Sequence, residues 1–146
     1  MKIRVALVSA LLAASGCTTL GRSPGSTVAP QPAATPQSDG KIATTIITAM
    51  GGGLVSGSIG TGLNDPEKRK ALEAEYRALE YTASGQKVRW KSDRSAHYGE
   101  VVPAQPYRVG SQDCRQYTHT VFTGAAGATA RGTACRNADG SWTPLT

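Results

Sequence analysis

The spacing of hydrophobic positions changes character several times along the chain. Behind Lys2 and Arg4, residues 5–14 form an uncharged apolar run, shorter than the ~20 residues a spanning helix needs. Residues 18–40 are rich in Thr, Ser, Gln and Gly and carry Pro24, Pro30, Pro32 and Pro36, so they bury too little apolar surface to order themselves and read as a disordered tether. Residues 42–63 then carry no charge, and small residues recur every four positions at Ala49, Gly53, Gly57 and Thr61, with Gly60 alongside. From Glu67 the period becomes helical: Leu72, Tyr76, Leu79 and Ala83 form one apolar stripe. Asp65 is placed to cap this helix, Pro66 to open it and Gly85 to stop it. Beyond Gly85 the alternation is that of strands. Residues 86–91 turn Val88 and Trp90 inward, and residues 97–102 form a second strand ended by Pro103. Residues 107–109 make a short one, 114–123 and 128–136 a longer pair around the turn 124–127, and 141–143 a last strand. The predicted fold is α+β: one amphipathic helix packed on a small antiparallel β-sheet, preceded by a Gly-rich apolar helix and the tether.

The apolar run at the amino terminus is the h-region of an export signal. Small residues Ala14, Ser15 and Gly16 precede Cys17, the arrangement of a bacterial lipoprotein whose thiol is acylated, palmitate-type, and whose leader is removed. Ala14-Ser15-Gly16 also fits an ordinary signal peptidase, which would leave Cys17 unmodified; either enzyme implies export. The chain has three cysteines. With Cys17 acylated, Cys114 and Cys135 remain, and export favours their oxidation to a disulfide. Folding 114–136 as a hairpin sets the two side by side. Closing a loop of that length stabilises by roughly 3 kcal/mol. Thr18 rather than an acidic residue follows Cys17, as in lipoproteins sorted to the outer membrane. The domains expected are thus 1–16 signal peptide, 17–40 lipidated cysteine and tether, 41–63 Gly-rich segment, and 64–146 the α+β domain.

Three readings fit the Gly-rich segment. As a single helix it is about 33 Å long, and Gly53, Gly57 and Gly60 would form a zipper for helix association or membrane insertion. It would otherwise be a helix packed on the domain, or a flexible link, since the triple glycine 51–53 disfavours helix by about 1 kcal/mol per residue.

The formal charge is +6, two units of which leave with Lys2 and Arg4. A mildly basic exported domain suits anionic lipids or glycans as partners, and no aromatic–basic platform points to nucleic acid. Lys87, Arg89 and Lys91 share one strand face, with Arg94 nearby, as a candidate anion-binding stripe. The same stripe is also what protects an edge strand from unwanted pairing. No HExxH, nucleophile elbow or paired carboxylates support catalysis, and no cysteine–histidine spacing supports zinc. No cofactor or metal is expected. His119 alternates with Tyr117 and Val121 as a packed strand residue. His97, near Asp93 and Glu100, is a weak metal grouping, and the two histidines are what an enzymatic reading would have to use.

The carboxy-terminal motifs carry a resemblance. Ser84-Gly85-Gln86-Lys87-Val88-Arg89-Trp90, Gly99-Glu100-Val101-Val102-Pro103, Cys114-Arg115-Gln116-Tyr117, Gly132-Thr133-Ala134-Cys135-Arg136 and Asp139-Gly140-Ser141-Trp142 resemble the surface-antigen domain of the 17-kDa outer-membrane antigen family. The resemblance implies a non-catalytic outer-membrane lipoprotein, exposed or periplasmic. Relatives often carry two Gly-rich helices as a hairpin where this chain has one such segment, which favours pairing between copies.

Overall fold

The computed structural model describes residues 42–145. The leader 1–16, Cys17 and the tether lie outside the described residues. The described chain is an α+β fold of two layers: α1 (Thr44–Ala49), two short 3-10 turns (Leu54–Ser56 and Ser58–Gly60) and α2 (Asp65–Tyr81) cover one face of a five-stranded sheet. The strands β1 (Val88–Lys91), β2 (Tyr98–Val109), β3 (Gln112–Phe122), β4 (Gly127–Arg136) and β5 (Trp142–Leu145) lie in chain order, each antiparallel to the one before. Short turns join them, as antiparallel neighbours permit. On β3 the alternation directs Arg115, Tyr117, His119 and Val121 toward the helices, and all four are buried. Cys114 therefore points to the other face, opposite Cys135 on β4.

Pro103 does not end β2. The strand continues through a register shift between Pro103 and Pro106, and residues 107–109 are its far end. Pro103 O accepts from Gly85 N–H at 2.8 Å. The N and O of one strand residue point to the same side, so the missing N–H of Pro103 falls outside the β2–β3 ladder. The bulge absorbs the rest of the irregularity.

The cap of α2 is Asn64 rather than Asp65. Asn64 Oδ1 accepts the Glu67 N–H at 3.0 Å, and Glu67 Oε2 accepts the Asn64 N–H at 3.0 Å, a reciprocal capping box. Pro66 sits in the first turn, as its fixed φ favours. The helix stops at Tyr81, short of Gly85, because an arginine from the sheet takes its final carbonyls. Arg115 donates through Nη1 to Ala78 O at 2.9 Å and Leu79 O at 3.0 Å, and through Nη2 to Thr82 O at 2.7 Å. Gly85 (φ 79) then turns the chain into β1. The buried stripe is consequently Ala71, Ala74, Tyr76, Ala78 and Leu79, with Leu72 half-buried and Ala83 exposed beyond the helix end.

Residues 42–63 do not form one helix. Gly51, Gly52 and Gly53 adopt φ values of 58, 90 and 53°, open to glycine but costly for other residues, and reverse the chain after α1. Ile47, Met50, Val55, Ile59 and Leu63 are thereby buried in the same core as α2 and the sheet. The glycines expected to line a helix–helix contact serve close approaches within the domain. A Cβ at Gly60 would collide with the Val55 carbonyl, and one at Gly57 would lie 3.3 Å from the Leu54 carbonyl. A Cβ at Gly53 would collide with the Glu75 carboxylate and lie 2.8 Å from a Leu72 methyl. Four-residue spacing arises here from turns, so these glycines do not share one helix face. Among the described residues no helix is long and apolar enough to cross a membrane.

Gly51 and Gly53 share a positive φ, but only Gly53 is crowded. Gly51→Ala is expected to cost about 1 kcal/mol from backbone strain alone, and Gly53→Ala at least about twice that, measured by urea unfolding. Equal losses would show that Gly53 is not held against Glu75.

Candidate functional site

The most polar point of the interior is Glu75 on α2, fully buried and facing the sheet. Its Oε1 lies 2.7 Å from His119 Nδ1. Its Oε2 accepts from the Tyr117 hydroxyl at 3.1 Å and from the Leu54 N–H at 3.2 Å. Both oxygens thus act only as acceptors, as an ionised carboxylate does. The third member of the chain fixes the histidine tautomer. Trp90 Nε1, which can only donate, lies 2.9 Å from His119 Nε2, so Nε2 accepts and Nδ1 carries the proton toward Glu75. The Glu75–His119 contact is a charge-assisted hydrogen bond to a neutral imidazole. Burial, reinforced by the Glu75 charge, pushes the Tyr117 phenol above its ordinary range. Gly99, opposite Trp90 on β2, leaves room for the indole, since a Cβ there would overlap Nε1.

Two further clusters join α2 to the sheet. Arg115 also donates through Nε to Ala104 O at 2.7 Å, so a buried guanidinium is solvated by carbonyls, several from the negative end of a helix. Burial lowers its pKa below the ordinary guanidinium range. Near the end of the same helix, Arg136 grips Glu80 with both prongs, at 2.8 and 2.9 Å, and Trp142 Nε1 adds a third donor at 2.8 Å. Burial alone would raise the Glu80 pKa; these donors hold it below its ordinary value. On the opposite face, Cys114 and Cys135 are joined by a disulfide between neighbouring strands.

The surface residues singled out from the sequence are dispersed. Lys87 and Arg89 both converge on Glu100, at 2.7 and 2.8 Å, so two of the four stripe cations already share a carboxylate partner. Lys91 and Arg94 stay exposed. Asp93 pairs with Lys70 at 2.6 Å. His97 Nδ1 instead meets Glu67 Oε2 at 3.2 Å. His97, Asp93 and Glu100 thus go to different partners, and among the described residues no three metal-ligating side chains converge. Glu67 is buried, and hydrogen bonding, led by Ser95 and opposed by burial, holds its carboxyl at about 2 against an ordinary 4.5. His119 is sealed within the Glu75 cluster. The residue that periodicity missed is Glu75, although it sits three after Leu72 and four before Leu79, inside the apolar stripe, where a carboxylate demands partners.

Residues 77–143 match the family model described as 17 kDa outer membrane surface antigen. The 17 kDa surface antigen of Rickettsia bellii is 40% identical over 85 residues, covering 58% of this chain and 54% of the relative. Those of Rickettsia conorii and Rickettsia felis are each 40% identical over 82 residues, covering 56% of this chain and 52% of the relative. Over this domain the chain is similar to the 17 kDa surface-antigen family. It spans about half the length of the curated relatives it matches. No solved structure matches it. Within the matched span of the surface-antigen domain lie the arginine that ends α2, the histidine and tyrosine that meet Glu75, the disulfide, and the Arg136–Trp142 pair around Glu80; Glu75 itself lies two residues before it.

Because the folded-state pKa of Glu67 is depressed, its contribution is complete above about pH 4.5 and disappears as pH falls toward 2. Acid unfolding followed by circular dichroism is expected to show this loss, with Glu67→Gln flattening the profile between those limits. A second expectation concerns the staple: Cys135→Ser is expected to cost about 3 kcal/mol in urea unfolding. A loss below ~1 kcal/mol would mean that the sheet does not depend on it.

Proposed function

We propose that this chain is an outer-membrane lipoprotein of surface-antigen type with a structural or interaction role and no catalytic activity. In this reading Cys17 is acylated, residues 18–40 form the tether, and the stapled domain presents a surface to the envelope. The observation that carries it is the disposition of the chemically capable side chains. Glu75, His119, Tyr117, Trp90 and Arg115 are all buried and saturated with one another or with main-chain carbonyls. Such groups hold a scaffold together and leave none of their reactive atoms for a substrate. The disulfide adds support, because it suits an oxidising compartment and leaves Cys17 as the remaining cysteine of the three. The relatives are named surface antigens, which favours the outer membrane or cell surface as the place of work.

The packing of residues 42–63 sharpens this proposal. Since Met50, Val55 and Ile59 belong to the domain core, membrane attachment falls to Cys17 and not to a glycine zipper. Cell fractionation of the full chain is expected to find the wild type in the outer-membrane pellet and Cys17→Ala predominantly in the soluble envelope fraction. Retention of Cys17→Ala in the pellet would contradict the lipid anchor.

A further inference from the structure

The outward face of the sheet carries a groove that takes no part in the buried clusters. It lies where β2 bulges between Pro103 and Pro106, with Ser84 and Gly85 as one wall, and encloses about 550 Å³. Val102, Thr118 and Arg131 stand side by side across β2, β3 and β4 in one row of the register. Gln105 and Gln116 complete the polar lining, and no acidic residue is part of it. Thr118 is half-buried; Gln105, Gln116 and Arg131 are exposed. Among the described residues none of these four side chains has a hydrogen-bond or ionic partner.

That is unusual on this sheet. Lys87 and Arg89 are paired with Glu100, Arg108 with Asp113 and Arg136 with Glu80. Arg131 is left open beside two amides and a hydroxyl. The stripe chosen from the sequence is a poorer site, since Lys87 and Arg89 share Glu100 and Arg94 lines a hollow together with Glu67 and Asp93.

We infer that this groove binds a carboxylated sugar unit of an anionic polysaccharide. The Arg131 guanidinium matches a carboxylate with two parallel donors. Gln105, Gln116 and Thr118 each both donate and accept, as the hydroxyls of a sugar require. Val102, half-buried in the same row, offers an apolar surface to the C–H face of the ring. One cation among neutral polar groups favours one acidic group per sugar over a polyphosphate. The groove opens on the sheet face that the helical layer does not cover, which leaves room for a polymer. The inference rests on the envelope location proposed above.

The test uses the full chain in non-ionic detergent, with tetragalacturonate as probe and amide chemical shifts as readout. Saturable shifts are expected at Gln105, Gln116, Thr118 and Arg131. Arg131→Gln is expected to weaken binding about five-fold or more, with the remaining spectrum unchanged, and Thr118→Val to weaken it while keeping the charge. Neutral tetragalactose and acetate alone are expected to bind far more weakly. The inference is overturned by absent or unsaturable shifts, by equal binding of Arg131→Gln, or by acetate or tetragalactose binding as tightly as the acid. If the chain fractionates with the outer membrane yet fails to bind, only this inference falls. If it binds but is not in the envelope, the location falls and the groove stands.

Discussion

A carboxylate placed in an apolar interior has to be met by donors from every side, and Glu75 imposes that condition on this fold. Its three donors come from two places far apart in sequence: Leu54 in the turn after the triple glycine, and Tyr117 and His119 on the central strand. Removing one partner from a buried charge costs several kcal/mol, although the intact set adds little net stability over an apolar core. The cluster therefore acts by penalising alternatives. A one-residue slip of β3 would send Tyr117 and His119 to the solvent face and strand the carboxylate.

The same condition reaches into the Gly-rich segment. Leu54 N–H can approach Glu75 only because residue 53 lacks a side chain. Gly99 does the equivalent for Trp90, whose N–H completes the histidine. Arg115 works on a second, parallel constraint, since its guanidinium both ends α2 and anchors it to the middle of the sheet. Helix, cover and sheet are thus joined by polar contacts at defined points, with apolar burial supplying most of the driving force between them. A domain so locked is suited to presenting an outer surface, which is where the open groove lies.

Much of this was legible in the sequence because its signals are local. The alternation at Val88 and Trp90 and at Tyr117, His119 and Val121, the turn 124–127 and Pro66 each specify geometry within a few residues, and the α+β class follows from their order. The Gly-rich segment was harder, because small residues four apart look alike in a helix and in a chain reversed by positive φ; only the buried positions of Met50, Val55 and Ile59 distinguish the two. Pro103 misled because a proline ends a strand only when its N–H would have served the ladder. The Glu75–His119 contact, separated by 44 residues, leaves as its sequence trace a glutamate in an apolar stripe. The groove around Arg131 leaves none, since its character lies in which cations found carboxylates elsewhere.

The central claim is that a carboxylate, a neutral histidine and an indole form one directed chain of hydrogen bonds at the heart of the domain. The most direct test is nitrogen-15 NMR of the His119 ring at neutral pH, with correlations to the Trp90 indole. The account predicts the Nδ1–H tautomer, an unprotonated Nε2, and a scalar coupling from Trp90 Nε1–H across the hydrogen bond to that nitrogen. An Nε2–H tautomer, or an imidazolium with both nitrogens protonated, would contradict it.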